Sequence, residues 1–340
     1  MKILRLYCSE GNKREKKYGT DSPLMKAIRE KYGCDEVVLE EGAKEEEYAE
    51  LIRQYNVLLT GWGNPHIPNE LAENCGKLRY ICNITGELAR WIDVPLVECP
   101  HLIITNWGDA PAFGVAEGAF ALLMAVMKNI PKHVDNARNN GVNRVPTETQ
   151  VSLYKKKVGI YGMGVIGRKF IDFLRPFSPD IYAYDPYAKD IPEGVTMVDS
   201  LGELFSISQI VAVHAGWTKE TEGSVNKEML AKLPDGGIII NTARAAIVDY
   251  EALREELLSR RLRAGIDLAT IKSPMPPVDD PVRMLDNVIF SCYSAYMGAW
   301  GVDPEELDFA ALNCLENLQR FADGKELKFV MTPARYRIST

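Results

Sequence analysis

Short apolar runs rich in β-formers recur along this chain, and most are followed by segments with apolar residues at helical spacing. In the first third, residues 2–7, 36–39, 57–60, 78–82 and 102–105 read as strands. Residues 24–32 and 45–54 read as amphipathic helices, with a shorter helix around 70–74. Alternation of this kind predicts a parallel sheet with helices on both faces. The segment 9–22 breaks the rhythm: it is polar and carries Lys13, Arg14, Lys16 and Lys17. A solvated loop is the first reading, and a basic lid over an acidic ligand the sharper one. From 111 to 130 the chain is nearly apolar all round, so a helix there is expected to be buried between domains or between subunits. Residues 139–150 are polar and turn-rich. The alternation then resumes, with strands at 158–161, 181–184, 210–213, 237–241, 264–268 and 287–291. A proline-rich connection spans 269–281, and Glu305 to Ala322 reads as a closing amphipathic helix. The expected class is α/β.

The most informative stretch is Val158-Gly159-Ile160-Tyr161-Gly162-Met163-Gly164-Val165-Ile166-Gly167. Gly162, Gly164 and Gly167 stand in G-x-G-x-x-G spacing, each with its own task. The first makes the tight turn, the second lets a pyrophosphate approach the backbone, and the third lets helix pack close on strand. The helix that follows, with Ile166, Phe170, Phe173 and Leu174 on one face, would aim its first N–H groups at the phosphates. A second strand, 181–184, ends in Asp185, the expected distance onward. A carboxylate there suits two ribose hydroxyls and repels a 2′-phosphate, which points to NAD rather than NADP.

Composition adds exclusions. At 340 residues, two domains are the better prior for this chain. A net charge of −7 leaves no basic excess with which to neutralise phosphates, so no nucleic-acid partner is expected. The seven cysteines are scattered and form no C-x-x-C pair, as in a reduced cytoplasm without a disulfide framework or metal site. The chain enters a strand directly from Met1, so no signal peptide is expected. The apolar run from Gly118 to Met127 is too short to span a bilayer, so no membrane association is expected either.

Taken in order, these motifs resemble those of the D-isomer-specific 2-hydroxyacid dehydrogenases over nearly the whole length. The matching pieces are Ile104-Thr105-Asn106, the helix with Val115-Ala116-Glu117, and the glycine motif with Asp185. Further on come His214 with Thr218-Lys219-Glu220-Thr221, Asn241-Thr242-Ala243-Arg244 and Ile266-Asp267-Leu268. The resemblance implies two Rossmann-like or flavodoxin-like, doubly wound domains. An outer substrate domain would comprise 1–107 and 297–340, and an inner NAD-binding domain 108–296. It further implies NAD as cofactor and an anionic hydroxy or keto acid as substrate. The positions it places beside the cofactor are Gly162, Gly164, Val165, Ile166, Gly167, Asp185, His214, Thr242, Ala243, Arg244 and Asp267. Arg244 matches the family's substrate-binding arginine, whose planar guanidinium can hold a carboxylate bidentately. The residue after it is Ala245, where the family has glycine. A homodimer formed through the inner domain is expected from the helix at 115–127.

One departure stands out. The family's general acid–base is a histidine at a later strand end, oriented by a glutamate five residues past the Asp267-type aspartate. Here those positions read Tyr293 and Lys272, or Ser273 with one inserted residue, and no histidine follows His214. Tyr293 can donate a proton, although a phenol of pKa about 10 is a poor base near neutrality. A lysine ammonium nearby would favour the phenolate, so Lys272 and Tyr293 are the candidate catalytic pair beside Arg244. The alternative is a tyrosine that packs and a lysine in solvent. His214 is expected to pack on the cofactor side, and Cys292 has no assigned chemistry. Three functional readings follow: an NAD-dependent oxidoreductase with tyrosine in place of histidine, a catalytically silent NAD(H)-binding regulator, and a transient-redox enzyme on a sugar-derived substrate.

Overall fold

The computed structural model describes residues 1–338 apart from 15–17, 41, 87, 140–149 and 296–305. The chain forms two compact units, Met1–Pro111 with Trp300–Thr340, and Ala112–Ala299. Both are parallel sheets flanked by helices, so the α/β, doubly wound class is observed in each.

The first unit holds β1 (Ile3–Tyr7), β2 (Asp35–Val38), β3 (Val57–Thr60), β4 (Tyr80–Asn83) and β5 (Ile103–Thr105). Their order is β2-β1-β3-β4-β5, all parallel, which is the flavodoxin-like arrangement. β1, β3 and β4 are buried along their whole length, which is why they read as continuous apolar runs rather than alternating ones. The polar segment after β1 is not simply a loop. It opens with a one-turn helix, α1 (Glu10–Lys13), because Ser9 Oγ accepts from the Asn12 N–H and caps it. Arg14 pairs loosely with Glu10 on the surface, while Lys16 and Lys17 lie outside the described residues. Helices α2 (Pro23–Tyr32), α3 (Glu45–Ile52) and α4 (Val94–Glu98) complete the front part. The segment around 70–74 is a 3-10 turn at Asn69–Ala72. The C-terminal part returns to this unit, where Met331 N–H donates to Ile104 O at 2.8 Å.

The second unit opens within α5 (Ala110–Met127), whose first two residues belong to the first unit, and continues with α6 (Ile130–Arg138) after Asn129 in a left-handed conformation. By length and composition α5 could cross a membrane; it is longer than its apolar run because the small residues from Ala110 onward join it. Ala116, Ala119, Leu122, Leu123 and Val126 lie in the core of the unit. The unit's sheet contains β6 (Lys157–Tyr161), β7 (Asp180–Tyr184), β8 (Val195–Met197), β9 (Ile210–Val213), β10 (Ile238–Asn241), β11 (Arg263–Ile266) and β12 (Val288–Phe290). Its order, β12-β11-β10-β9-β6-β7-β8, reverses direction between β6 and β9. In open α/β sheets, ligands bind beyond the strand carboxyl ends at such a switch point. Helices α7 (Val165–Leu174), α8 (Leu201–Ile207), α9 (Lys227–Lys232) and α10 (Tyr250–Leu258) pack on the faces. Two further helices, α11 (Phe309–Ala322) and α12 (Pro333–Ile338), belong to the first unit.

Candidate active site

The carboxyl edge of the seven-stranded sheet carries the sequence-predicted residues on successive turns. At the end of β6, Gly162 has φ +95°, and a Cβ there would sit 2.4 Å from Ala215 N, just past the end of β9. Gly167 faces a different constraint, since its Cβ would lie 2.2 Å from Gly162 O, so α7 can start this close to the strand only with glycine. Gly164 differs from both. It caps α7 in extended geometry, and nothing lies within 4 Å of its would-be Cβ. No side chain caps the helix, which leaves its first-turn N–H groups without a capping acceptor.

Asp185, at the end of β7, is tied into the same turn: its Oδ2 accepts from Met163 N–H at 2.8 Å and its Oδ1 from Tyr187 N–H at 2.9 Å. Arg168 holds Met163 from the other side, donating through Nε to Met163 O at 3.0 Å and through its terminal nitrogens to the Lys189 and Asp190 carbonyls. Sequence reading did not single out Arg168, because its partners are carbonyls that no residue type advertises.

His214 ends β9, with its N–H bonded to Tyr161 O at 2.7 Å. The residue is half-buried, but both ring nitrogens are shielded from solvent and neither has a hydrogen-bond partner. Burial lowers its pKa from 6.5 to about 3, so the imidazole is neutral near neutrality and packs 4.9 Å from the Phe170 ring. At the end of β10, Asn241 Oδ1 accepts from Ala243 N–H at 3.1 Å and organises the turn that follows. Thr242 is buried with its hydroxyl unpartnered, and Arg244 is exposed as the N-cap of the 3-10 turn Ala245–Ile247.

Asp267, just past the end of β11, is buried and takes three donors on one carboxylate oxygen. Its Oδ1 accepts from Ser291 Oγ at 2.6 Å, Ser294 N–H at 2.9 Å and Ala295 N–H at 3.0 Å, and its carbonyl accepts from Tyr293 N–H at 2.9 Å. Ser294 Oγ also bonds Ser291 O. The turn these bonds close holds Cys292 at φ 54° and Tyr293 at φ 61°, two consecutive non-glycine residues in left-handed geometry. Each costs about 1–2 kcal/mol relative to right-handed backbone. Tyr293 is 65% exposed. Lys272 is exposed in a separate turn, where Thr270 and Ser273 bond each other, and among the described residues no hydrogen bond joins it to Tyr293. The sequence did not reveal Ser291 and Ser294 as partners of Asp267, because they lie 24 and 27 residues further along the chain.

In the first unit, Arg5 is fully buried in β1 and donates to Leu59 O, Asn64 Oδ1 and Trp62 O at 3.1–3.4 Å, fixing the loop after β3. Burial lowers its pKa. Among the described residues no group of His, Cys, Asp and Glu could hold a metal ion.

A dinucleotide fits the second unit on two observations: the open space over Gly164 at an uncapped helix start, and the buried unpartnered polar atoms of His214 and Thr242. The fold and this edge define the second unit as a dinucleotide-binding domain of an α/β dehydrogenase. Residues 120–295 match the family model described as D-isomer specific 2-hydroxyacid dehydrogenase, NAD binding domain. The chain belongs to the D-isomer specific 2-hydroxyacid dehydrogenase family, and this domain binds NAD. It is 31% identical over 273 residues to a D-3-phosphoglycerate dehydrogenase of Methanocaldococcus jannaschii, covering 79% of this chain and 51% of that protein. It is 32% identical to a hydroxypyruvate reductase of Thermotoga maritima over 58% of this chain and 64% of that one. The chain thus spans about half to two thirds of the length of these curated relatives. Among solved structures it resembles an acyclic imino acid reductase in complex with NADPH and D-Arg, with TM-score 0.73 and 25% identity, covering 97% of this chain and 100% of that one.

Proposed function

We propose that this protein is an NAD-dependent oxidoreductase of an anionic hydroxy or keto acid, with Tyr293 in the role of the family's histidine. The observation that supports this most is that Arg244 and Tyr293 stand on the same sheet edge as the glycine turn, at the ends of β10 and β12. The Arg244 guanidinium would hold the substrate carboxylate and polarise the adjacent carbonyl. When bound, the nicotinamide supplies or accepts the hydride. In the reducing direction the Tyr293 hydroxyl gives its proton to the carbonyl oxygen, and solvent reprotonates the exposed phenolate. Lys272 is not needed in this scheme. Asp185, already fixed by Met163 and Tyr187, would favour NAD over NADP. The seven free cysteines suit a reducing cytoplasm, and we place the protein there.

A second reading is favoured by the lack of any histidine after His214, together with the imino acid reductase likeness. An iminium substrate already carries its proton on nitrogen. Hydride addition to its carbon yields the amine directly, so no protein acid is required.

The experiment is a screen of 2-keto acids, each with and without ammonium, following NADH and NADPH consumption. The keto-acid reading expects turnover without ammonium, NADH preferred, and a loss of about 10²–10⁴-fold in Tyr293→Phe. Turnover that needs ammonium and ignores Tyr293→Phe would select the imine reading. Tight NADH binding without any turnover would select a silent NAD(H)-binding regulator.

A further inference from the structure

The turn Ser291–Ala295 is more tightly determined than the end of an edge strand requires. At its start Ser291 N–H continues the sheet ladder to Ile266 O at 2.9 Å. Through its middle, Asp267 accepts from Ser291, Tyr293, Ser294 and Ala295. At its end, Ala295 O lies against α5, where a Cβ on Gly118 would sit only 2.3 Å away. Gly118 is therefore small because the turn's backbone docks on it, even though alanine is the better helix former. Two successive left-handed, non-glycine residues lie inside this clamp. Such backbone persists only where its surroundings over-determine it, and it clusters where a side chain must be presented in one way.

We propose that Asp267 and Gly118 are positioning residues that clamp this turn and thereby fix Tyr293 for proton transfer. The inference rests on the reading of Tyr293 as the proton donor. A carboxylate suits the task because one oxygen can accept three donors at once, and ionised acceptors make the stronger bonds. Asp267 is in turn held by the ladder bond from its own N–H to Asn241 O at 2.9 Å, so the clamp is referenced to the middle of the sheet. The turn beyond β12 is thus registered to β10, β11 and α5 together. A tyrosine on an unclamped turn would sample many positions, and a displacement of about 1 Å can cost 10²-fold in rate.

The test compares Ser291→Ala, Gly118→Ala and Asp267→Asn in the full chain, with two readouts. The first is alkylation of Cys292 by iodoacetamide, followed by peptide mass spectrometry. Cys292 is exposed inside the turn, and exposed Cys8 in the other unit is the internal reference. The second is kcat, KM and NADH affinity with the keto acid found in the screen. Ser291→Ala and Gly118→Ala should change Cys292 reactivity severalfold relative to Cys8. They should lower kcat by up to about 10²-fold and leave NADH affinity in place. Asp267→Asn keeps the side-chain shape but loses the charge that strengthens all three bonds, so it should change Cys292 reactivity at least as much as Ser291→Ala. In a Tyr293→Phe background neither Ser291→Ala nor Gly118→Ala should lower kcat further, because residues that act as a unit are non-additive. Unchanged Cys292 reactivity in both variants overturns the clamp. An equal drop in kcat with and without Tyr293 overturns its purpose. If Cys292 responds but Tyr293→Phe keeps full turnover, the donor assignment has failed, the inference falls with it, and the thiol data show that the clamp itself was not at fault.

Discussion

At the scale of single residues, His214 is the side chain whose behaviour is most sharply set by its surroundings. Both ring nitrogens are shielded and unpartnered, and burial holds the pKa near 3 against 6.5 for a free imidazole. Between those values the unfolded chain binds a proton that the folded chain does not, so stability rises with pH across this window and is lost as the pH falls through it. The slope contributed is up to about 1.4 kcal/mol per pH unit. His214→Leu removes the titrating group without breaking a hydrogen bond. Urea unfolding from pH 7 to pH 4 should therefore show a flatter acid limb for the variant, and parallel curves would refute the assignment. The same environment explains why His214 is poorly suited to act as a general acid near neutrality. Its place at the end of β9 was legible in the sequence. Its neutrality was not, because that depends on Phe170 and the turn packing around it.

At the scale of elements, what the sequence made legible was dictated locally. Gly162 and Gly167 are constrained by backbone at the end of β9 and at Gly162 itself, whereas Gly164 meets nothing within 4 Å. That separation gives a direct test. Gly164→Ala meets nothing within 4 Å at an ordinary φ of −68°, so folding stability should change by no more than about 1 kcal/mol. NADH should nevertheless bind far more weakly, because the methyl group fills the space in front of the helix start. Gly167→Ala should do the reverse, costing about 1–3 kcal/mol through overpacking against Gly162 O. Calorimetry and NADH fluorescence titration on both variants decide it, and equal destabilisation by the two would contradict the geometry. Among the elements the sequence did not single out are two short ones with little periodicity to show, beside longer helices such as α6 and α10. Helix α4 has five residues, and β8 is a three-residue edge strand, buried only in part. The turn at 291–295 escaped for another reason: Asp267 and Gly118 determine it from elsewhere in the chain, and no local pattern encodes that.

At the scale of the whole molecule, the sequence announced two α/β units but not how the apolar helix α5 would divide its surface. One face, with Ala116, Ala119, Leu123 and Val126, is buried in the second unit's own core. Elsewhere Phe113 remains 46% exposed at one end of a run of rings: Phe113 meets Phe173 at 5.3 Å, Phe173 meets Phe120 at 6.0 Å, and Phe120 meets Phe177 at 5.6 Å. On α6, Ile130 and Val134 are both exposed and share a helix face at i, i+4 spacing. Phe120 and Phe173 are partly buried against the unit's core, which leaves Phe113 and Phe177 at the ends of the run exposed, with the α6 pair, as apolar side chains open to a partner. We propose that this partner is a second copy of the chain, since most soluble oligomers are symmetric homodimers that use one self-complementary patch. Light scattering of the purified protein should then report twice 38.0 kDa. Phe113→Asp combined with Val134→Asp should return the 38.0 kDa species, because a charge cannot be buried without a partner. NADH should still bind that monomer, because both substituted side chains are exposed and neither belongs to the glycine turn. A wild-type protein that stays at 38.0 kDa at micromolar concentration would remove the dimer and leave the exposed Phe113 of α5 without an occupant.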